Sequence, residues 1–172
     1  MKKLTITLLA LFLSIGVFAQ DPLFLKDDKV INLGVGIGSG LVGYGLSVPP
    51  VSASFELGVA DGIFDKASIG IGGYLGFASY SYKHSDWRYT DFILGARGSI
   101  HYPLVEKLDT YASLMLGFRV RNWNYDYDGT NYNRPVSAWI LGGRYYLTDN
   151  LALMGEVGYG IAYLTVGVAL KL

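Results

Sequence analysis

The chain has 172 residues, of which 51% are hydrophobic and 16% charged, with 14 basic and 14 acidic side chains and no cysteine. A charged fraction well under the ~25% of ordinary soluble domains argues against a water-exposed globule. Balanced charge argues against nucleic acid as a partner, because that needs a basic surface.

Residues 1–19 read as a cleaved signal peptide. Lys2 and Lys3 form its charged start and Leu4 to Leu13 its apolar stretch, while Val17-Phe18-Ala19 supplies the cleavage region. The apolar stretch is too short for a stop-transfer helix. Cleavage would leave Gln20 or Asp21 first, so 20–172 is expected to form one domain. An exported chain without disulfides must gain stability elsewhere, and closing a barrel does so by pairing every backbone group.

After a polar lead-in over 21–29, eight stretches alternate with period two, which predicts eight strands. The first, about 30–39, puts Ile31, Leu33, Val35 and Ile37 on one face and Asn32, Gly34 and Gly36 on the other. The second, about 51–60, opposes Val51, Phe55 and Leu57 to Ser52, Ser54 and Glu56. The third, about 67–80, opposes Ile71, Leu75 and Phe77 to Ser68, Tyr74 and Gly76. The fourth, about 89–102, opposes Phe92, Leu94 and Ile100 to Asp91, Arg97, Ser99 and His101. The fifth, about 110–122, opposes Leu114, Leu116 and Phe118 to Ser113, Met115, Arg119 and Arg121. The sixth, about 136–147, opposes Trp139, Leu141 and Tyr145 to Ala138, Gly142 and Arg144. The seventh, about 151–160, opposes Leu153, Val157 and Tyr159 to Ala152, Met154 and Glu156. The eighth, about 162–172, opposes Leu164, Val166, Val168 and Leu170 to Thr165, Gly167, Ala169 and Lys171.

The connections at 61–66, 103–109 and 148–150 are short and turn-like. Those near 40–50, 81–88 and 123–135 are longer, whereas the one around Gly160 and Ile161 is short. Short turns at one end and long loops at the other is the asymmetry of outer-membrane barrels. Charged residues share a face with most glycines, and small residues belong where space is scarce. The apolar face therefore points outward into lipid, where an arginine at the midplane would cost about 2–4 kcal/mol. A soluble lipid-carrying barrel would have the opposite arrangement. The expected fold is all-β: a transmembrane eight-stranded antiparallel up-and-down β-barrel following a signal peptide.

The run Leu141-Gly142-Gly143-Arg144-Tyr145-Tyr146-Leu147-Thr148-Asp149-Asn150-Leu151-Ala152-Leu153 and the terminal Gly167-Val168-Ala169-Leu170-Lys171-Leu172 resemble the small OmpA/OmpX-like outer-membrane β-barrel family. The family closes on an aromatic residue, often Phe, where this chain has Leu172. The resemblance implies an outer membrane of the Gram-negative type, contact with its lipid and insertion by the barrel assembly machinery. A closed barrel needs no partner strand, so a monomer is expected.

Glu56, Arg97, Arg119, Arg144 and Glu156 fall on the inward face and are expected to form an ionic network filling the lumen, because unpaired buried charge is expensive. Pairing of Leu147 with Leu151 would put Glu156 opposite Gly142 and diagonal to Arg144, within reach. A gated narrow pore is the alternative use of these charges. Tyr82, Trp87, Tyr89, Trp123, Tyr125, Tyr127 and Tyr132 belong to Tyr- and Trp-rich loop segments of the kind that grip proteins or glycans. Tyr102, Tyr111, Tyr145 and Tyr146 are expected to form the aromatic girdle at the other end.

No enzyme, cofactor or metal site is expected. Ser99 and His101 share a face but lie at the wrong end for a lipid-modifying enzyme, and His84-Ser85-Asp86 are adjacent residues that cannot aim at one point. Asp126, Asp128 and Gly129 lack the spacing of a calcium loop. The expected role is a structural or adhesive platform presenting its loops outward.

Overall fold

The computed structural model describes residues 21–37, 45–81, 88–123 and 133–172. Eight antiparallel strands form a closed barrel in sequence order. They are β1 (Lys29–Ile37), β2 (Gly45–Ile63), β3 (Ala67–Ser81), β4 (Arg88–Val105), β5 (Leu108–Trp123), β6 (Arg134–Tyr146), β7 (Leu151–Gly158) and β8 (Leu164–Lys171). Each strand pairs with its sequence neighbour, and β1 closes the ring on β8 from Val30↔Lys171 to Ile37↔Leu164. Every described strand thus has a paired neighbour on both sides.

All eight predicted strands are present, and the alternation assigns their faces correctly. Leu114 and Leu116 stand 71% and 70% exposed on the outer wall, with Leu94, Leu141 and Val166 around it. Their inward neighbours Ser113 and Met115 are 3% and 1% exposed. Oily residues outside and polar ones inside invert the pattern of a soluble domain.

The predicted loop over 40–50 is corrected at its second half, because β2 already begins at Gly45. Its ladder to β3 shifts register between Val48 and Val51, where Pro49 and Pro50 lack N–H donors. A bulge absorbs the two missing bonds. On its other side β2 pairs with β1 only from Val51 downward, below the prolines.

One end of the barrel holds both ends of the described chain and the tight turns. Residues 21–28 cross that end as a strap. Its backbone bonds to β2, with Asp27 N donating to Gly58 O and Gly58 N donating to Asp28 O, both at 2.9 Å. A side chain at Gly58 would run into the carbonyl of Leu25, so glycine is what lets the strap sit this close. Lys171 of β8 ties down the strap's other edge, through Asp28 Oδ2 at 2.7 Å and Leu23 O at 3.0 Å.

Candidate functional site

The interior has three levels. Nearest the strap lies an ionic cluster drawn from five strands. Arg144 on β6 is fully buried and crosses the barrel to Glu56 on β2. It also donates to Asp109 Oδ2 at 3.2 Å and to Asn32 Oδ1 at 3.0 Å. His101 on β4 places Nε2 3.1 Å from Glu56 Oε1 and Nδ1 3.0 Å from both Asp109 oxygens. Carboxylates only accept, so an imidazolium with an N–H on each side satisfies both contacts. Phe24, inserted from the strap, stacks on His101 with ring centroids 4.1 Å apart and lies under the Arg144 guanidinium.

Slightly higher, Arg97 on β4 meets Glu156 on β7 at 2.8 Å. The contact is an ion pair rather than an aligned hydrogen bond, since no nitrogen of this guanidinium makes a bond of good angle. Tyr111 bridges the two ionic groups. Its hydroxyl donates to Glu156 at 2.8 Å while Arg144 and Arg97 lie over its ring, 4.6 and 5.1 Å from the centroid. The same ring occupies the space beside Gly142, which only a residue without a side chain leaves free.

The predicted network is therefore rearranged. Glu156 does lie opposite Gly142 in the ladder, yet it bonds Arg97, and Arg144 turns instead to Glu56 and Asp109. Asp109 is the ladder partner of Arg144 on the adjacent β5, whereas the Arg144–Glu56 and Arg97–Glu156 pairs reach across a narrow interior to strands on the far side. Arg119 stands apart from the cluster. It lies four residues above Met115, the ladder partner of Arg97, which is about 13 Å along a strand. Tyr74, Ile93, Met115, Ala138 and Ile161 form an apolar layer between the two levels.

His101, Asp109, Asn32, Tyr111 and Phe24 were not among the predicted network residues. Asn32 and His101 already stood on the inward face. Asp109 was placed in a turn, but β5 begins at Leu108 and gives it the inward parity of Tyr111 and Ser113. Phe24 belongs to the lead-in, which carries no periodic signal.

Of the aromatic residues assigned to a loop surface, Tyr82, Trp87, Tyr125, Tyr127 and Tyr132 lie outside the described residues, as does the side chain of Trp123. Tyr89 is corrected: it points inward on β4, 2% exposed, and stacks on Tyr80 at 4.8 Å. The girdle at the strap end is half right. Tyr102 and Tyr145 face outward, but Tyr111 and Tyr146 are buried because their parity is that of Ser113 and Arg144. A belt at the opposite end is formed by Trp139, Tyr159 and Tyr163, which pack edge to face.

Ser99 and His101 do not form a catalytic pair. Ser99 accepts a bond from Ser113 at 2.9 Å, and both ring nitrogens of His101 are held by carboxylates. His84, Ser85, Asp86, Asp126, Asp128 and Gly129 lie outside the described residues. Among the described residues no cluster of metal-binding side chains occurs.

No protein-family model and no curated protein matches the chain. Among solved structures, it is similar to Ail, the attachment invasion locus protein of Yersinia pestis, in complex with the heparin analogue sucrose octasulfate. The identity is 13%, over 86% of this chain and 96% of that one, with a TM-score of 0.50. The fold is that of an outer-membrane-type transmembrane β-barrel. Two further matches are the N-terminal barrel domain of Pseudomonas aeruginosa OprF, at 16% identity over 86% and 98% with a TM-score of 0.46, and a de novo designed transmembrane barrel, at 18% identity over 90% and 100% with a TM-score of 0.46.

Proposed function

We propose that the chain is an exported, monomeric barrel of a Gram-negative-type outer membrane, inserted by the barrel assembly machinery, and that it serves as a structural or adhesive platform rather than a conduit or an enzyme. The strap end faces the periplasm and the loop end faces out. The observation that carries this reading is the set of buried contacts from Phe24 through Arg144–Glu56 to Arg97–Glu156, which reaches from wall to wall. Contacts so placed among the described residues oppose a continuous water path, and the working surface is then what the loop end displays. Extracellular protein or glycan is the partner class that the Tyr- and Trp-rich loop segments fit.

Planar-bilayer recording of the refolded mature chain tests this. Baseline current is expected across the physiological voltage range. A steady, reproducible single-channel step would overturn the platform reading and favour a narrow pore.

A further inference from the structure

Above the apolar layer the interior opens at the loop end into a cavity of about 550 Å³. Its charged lining is Arg119, Arg121, Arg134 and Asp91. Asp91 is engaged by Arg121 through two forked bonds, Nε to Oδ1 at 2.6 Å and Nη2 to Oδ2 at 2.7 Å. Arg119 and Arg134 then face each other directly across the β5–β6 ladder. Among the described residues, neither has a carboxylate in ion-pair range. The Nε of Arg119 is buried without a hydrogen-bond partner.

Like charges directly opposite in a ladder are destabilising, and an unmet charged donor adds to the cost. Two forked guanidiniums around one cavity are, however, what a tetrahedral oxyanion needs. Among the described residues β7 and β8 are the shortest strands, at eight residues each, and their connection borders this cavity. There Tyr159 and Tyr163 stand at its edge while facing outward beside Trp139. Such aromatic rings sit at the headgroup level of a bilayer.

We propose that the loop-end cavity is a phosphate-binding site in which Arg119 and Arg134 grip the oxyanion, and that a lipid headgroup enters it sideways over the β7–β8 rim. The lipid route rests on the membrane reading above; the phosphate site itself does not.

Native mass spectrometry of the full mature barrel, refolded in detergent, tests both parts. The probes are phosphatidic acid, diacylglycerol with the same chains, and inorganic phosphate. Adducts are expected with phosphatidic acid and not with diacylglycerol. The double variant Arg119→Gln/Arg134→Gln should lower occupancy at least about tenfold. Lys66→Gln/Lys107→Gln, an equal charge loss at the strap end, should leave occupancy unchanged. Arg119→Lys/Arg134→Lys, which keeps charge but loses the fork, should fall between. Heat-modifiable gel mobility verifies that each variant is folded. Resistance of the lipid adduct to excess inorganic phosphate supports the sideways lipid route, and displacement overturns that route while upholding the site. Unaltered binding in Arg119→Gln/Arg134→Gln, or the same loss in the lysine double, overturns the site.

Discussion

Arg144→Met is expected to destabilise the folded barrel by about 3–5 kcal/mol, the cost of removing one partner from a buried ion pair. Arg144 is the cation on which the strap-end cluster closes. It meets Glu56, Asp109 and Asn32 together while lying over Tyr111. Without it, two buried carboxylates share His101 alone. Adding Glu56→Gln to Arg144→Met should therefore recover part of the loss, because the second change removes a charge the first left stranded. Urea unfolding in lipid vesicles measures these differences. The rearranged pairing gives a sharper expectation. Double-mutant cycles should show coupling of about 0.5–3 kcal/mol for Arg144 with Glu56 and for Arg97 with Glu156. Arg144 with Glu156, linked only through Tyr111, should couple less. An Arg144→Met variant within about 1 kcal/mol of the parent, below the usual cost of an orphaned buried charge, would show that the cluster does not hold the barrel.

Phe24→Ala is the second large effect, at about 3–5 kcal/mol, the usual range for losing a buried phenylalanine. Phe24 is 1% exposed although it lies outside every strand. Its ring covers His101, and its carbonyl accepts the Ser68 hydroxyl at 2.6 Å. Truncation empties the space under Arg144 and lets water reach the cluster from the strap end. The strap should then loosen as a unit, since its remaining anchors are polar: the backbone bonds to Gly58, the Ser68 bond to the residue-24 carbonyl, the Lys26 N bond to Asp61 and the Lys171 contacts. Limited proteolysis within 21–28 should accelerate alongside the loss of stability. Phe24→Leu, which keeps most of the volume, should cost under about 1.5 kcal/mol. An alanine variant as stable and as protease-resistant as the parent would mean that the strap merely rests on the barrel.

Much of this architecture was legible because a barrel wall obeys one local rule. Alternation along β5 separates Leu114 and Leu116 from Ser113 and Met115 without knowledge of any other strand. Ladder register was equally local where a tight turn fixes it, as at Leu147 and Leu151, whose backbones bond at 2.8 Å. What crosses the interior was not legible. That Glu56 meets Arg144 and Glu156 meets Arg97 depends on the diameter and stagger of the closed ring, and these set which strands face each other. Asp109 is hidden because the turn-like run 103–109 overlaps the first two residues of β5. The inward turn of Tyr111 and Tyr146 was available from parity, but a tyrosine near a strand end invites assignment to the membrane interface. Phe24 had no pattern to reveal it, and its role emerges only once the barrel's end is there to be filled.

The central claim is that the apolar outer wall lies in lipid while the charges lie inside. Spin labels placed singly at Leu94, Leu114, Leu116, Leu141 and Val166 of the vesicle-reconstituted chain test it by collision with oxygen and with a water-soluble nickel chelate. High oxygen and low nickel access at all five positions is the expected result. Nickel access at these sites matching that of a label in free solution would place the wall in water and contradict the account.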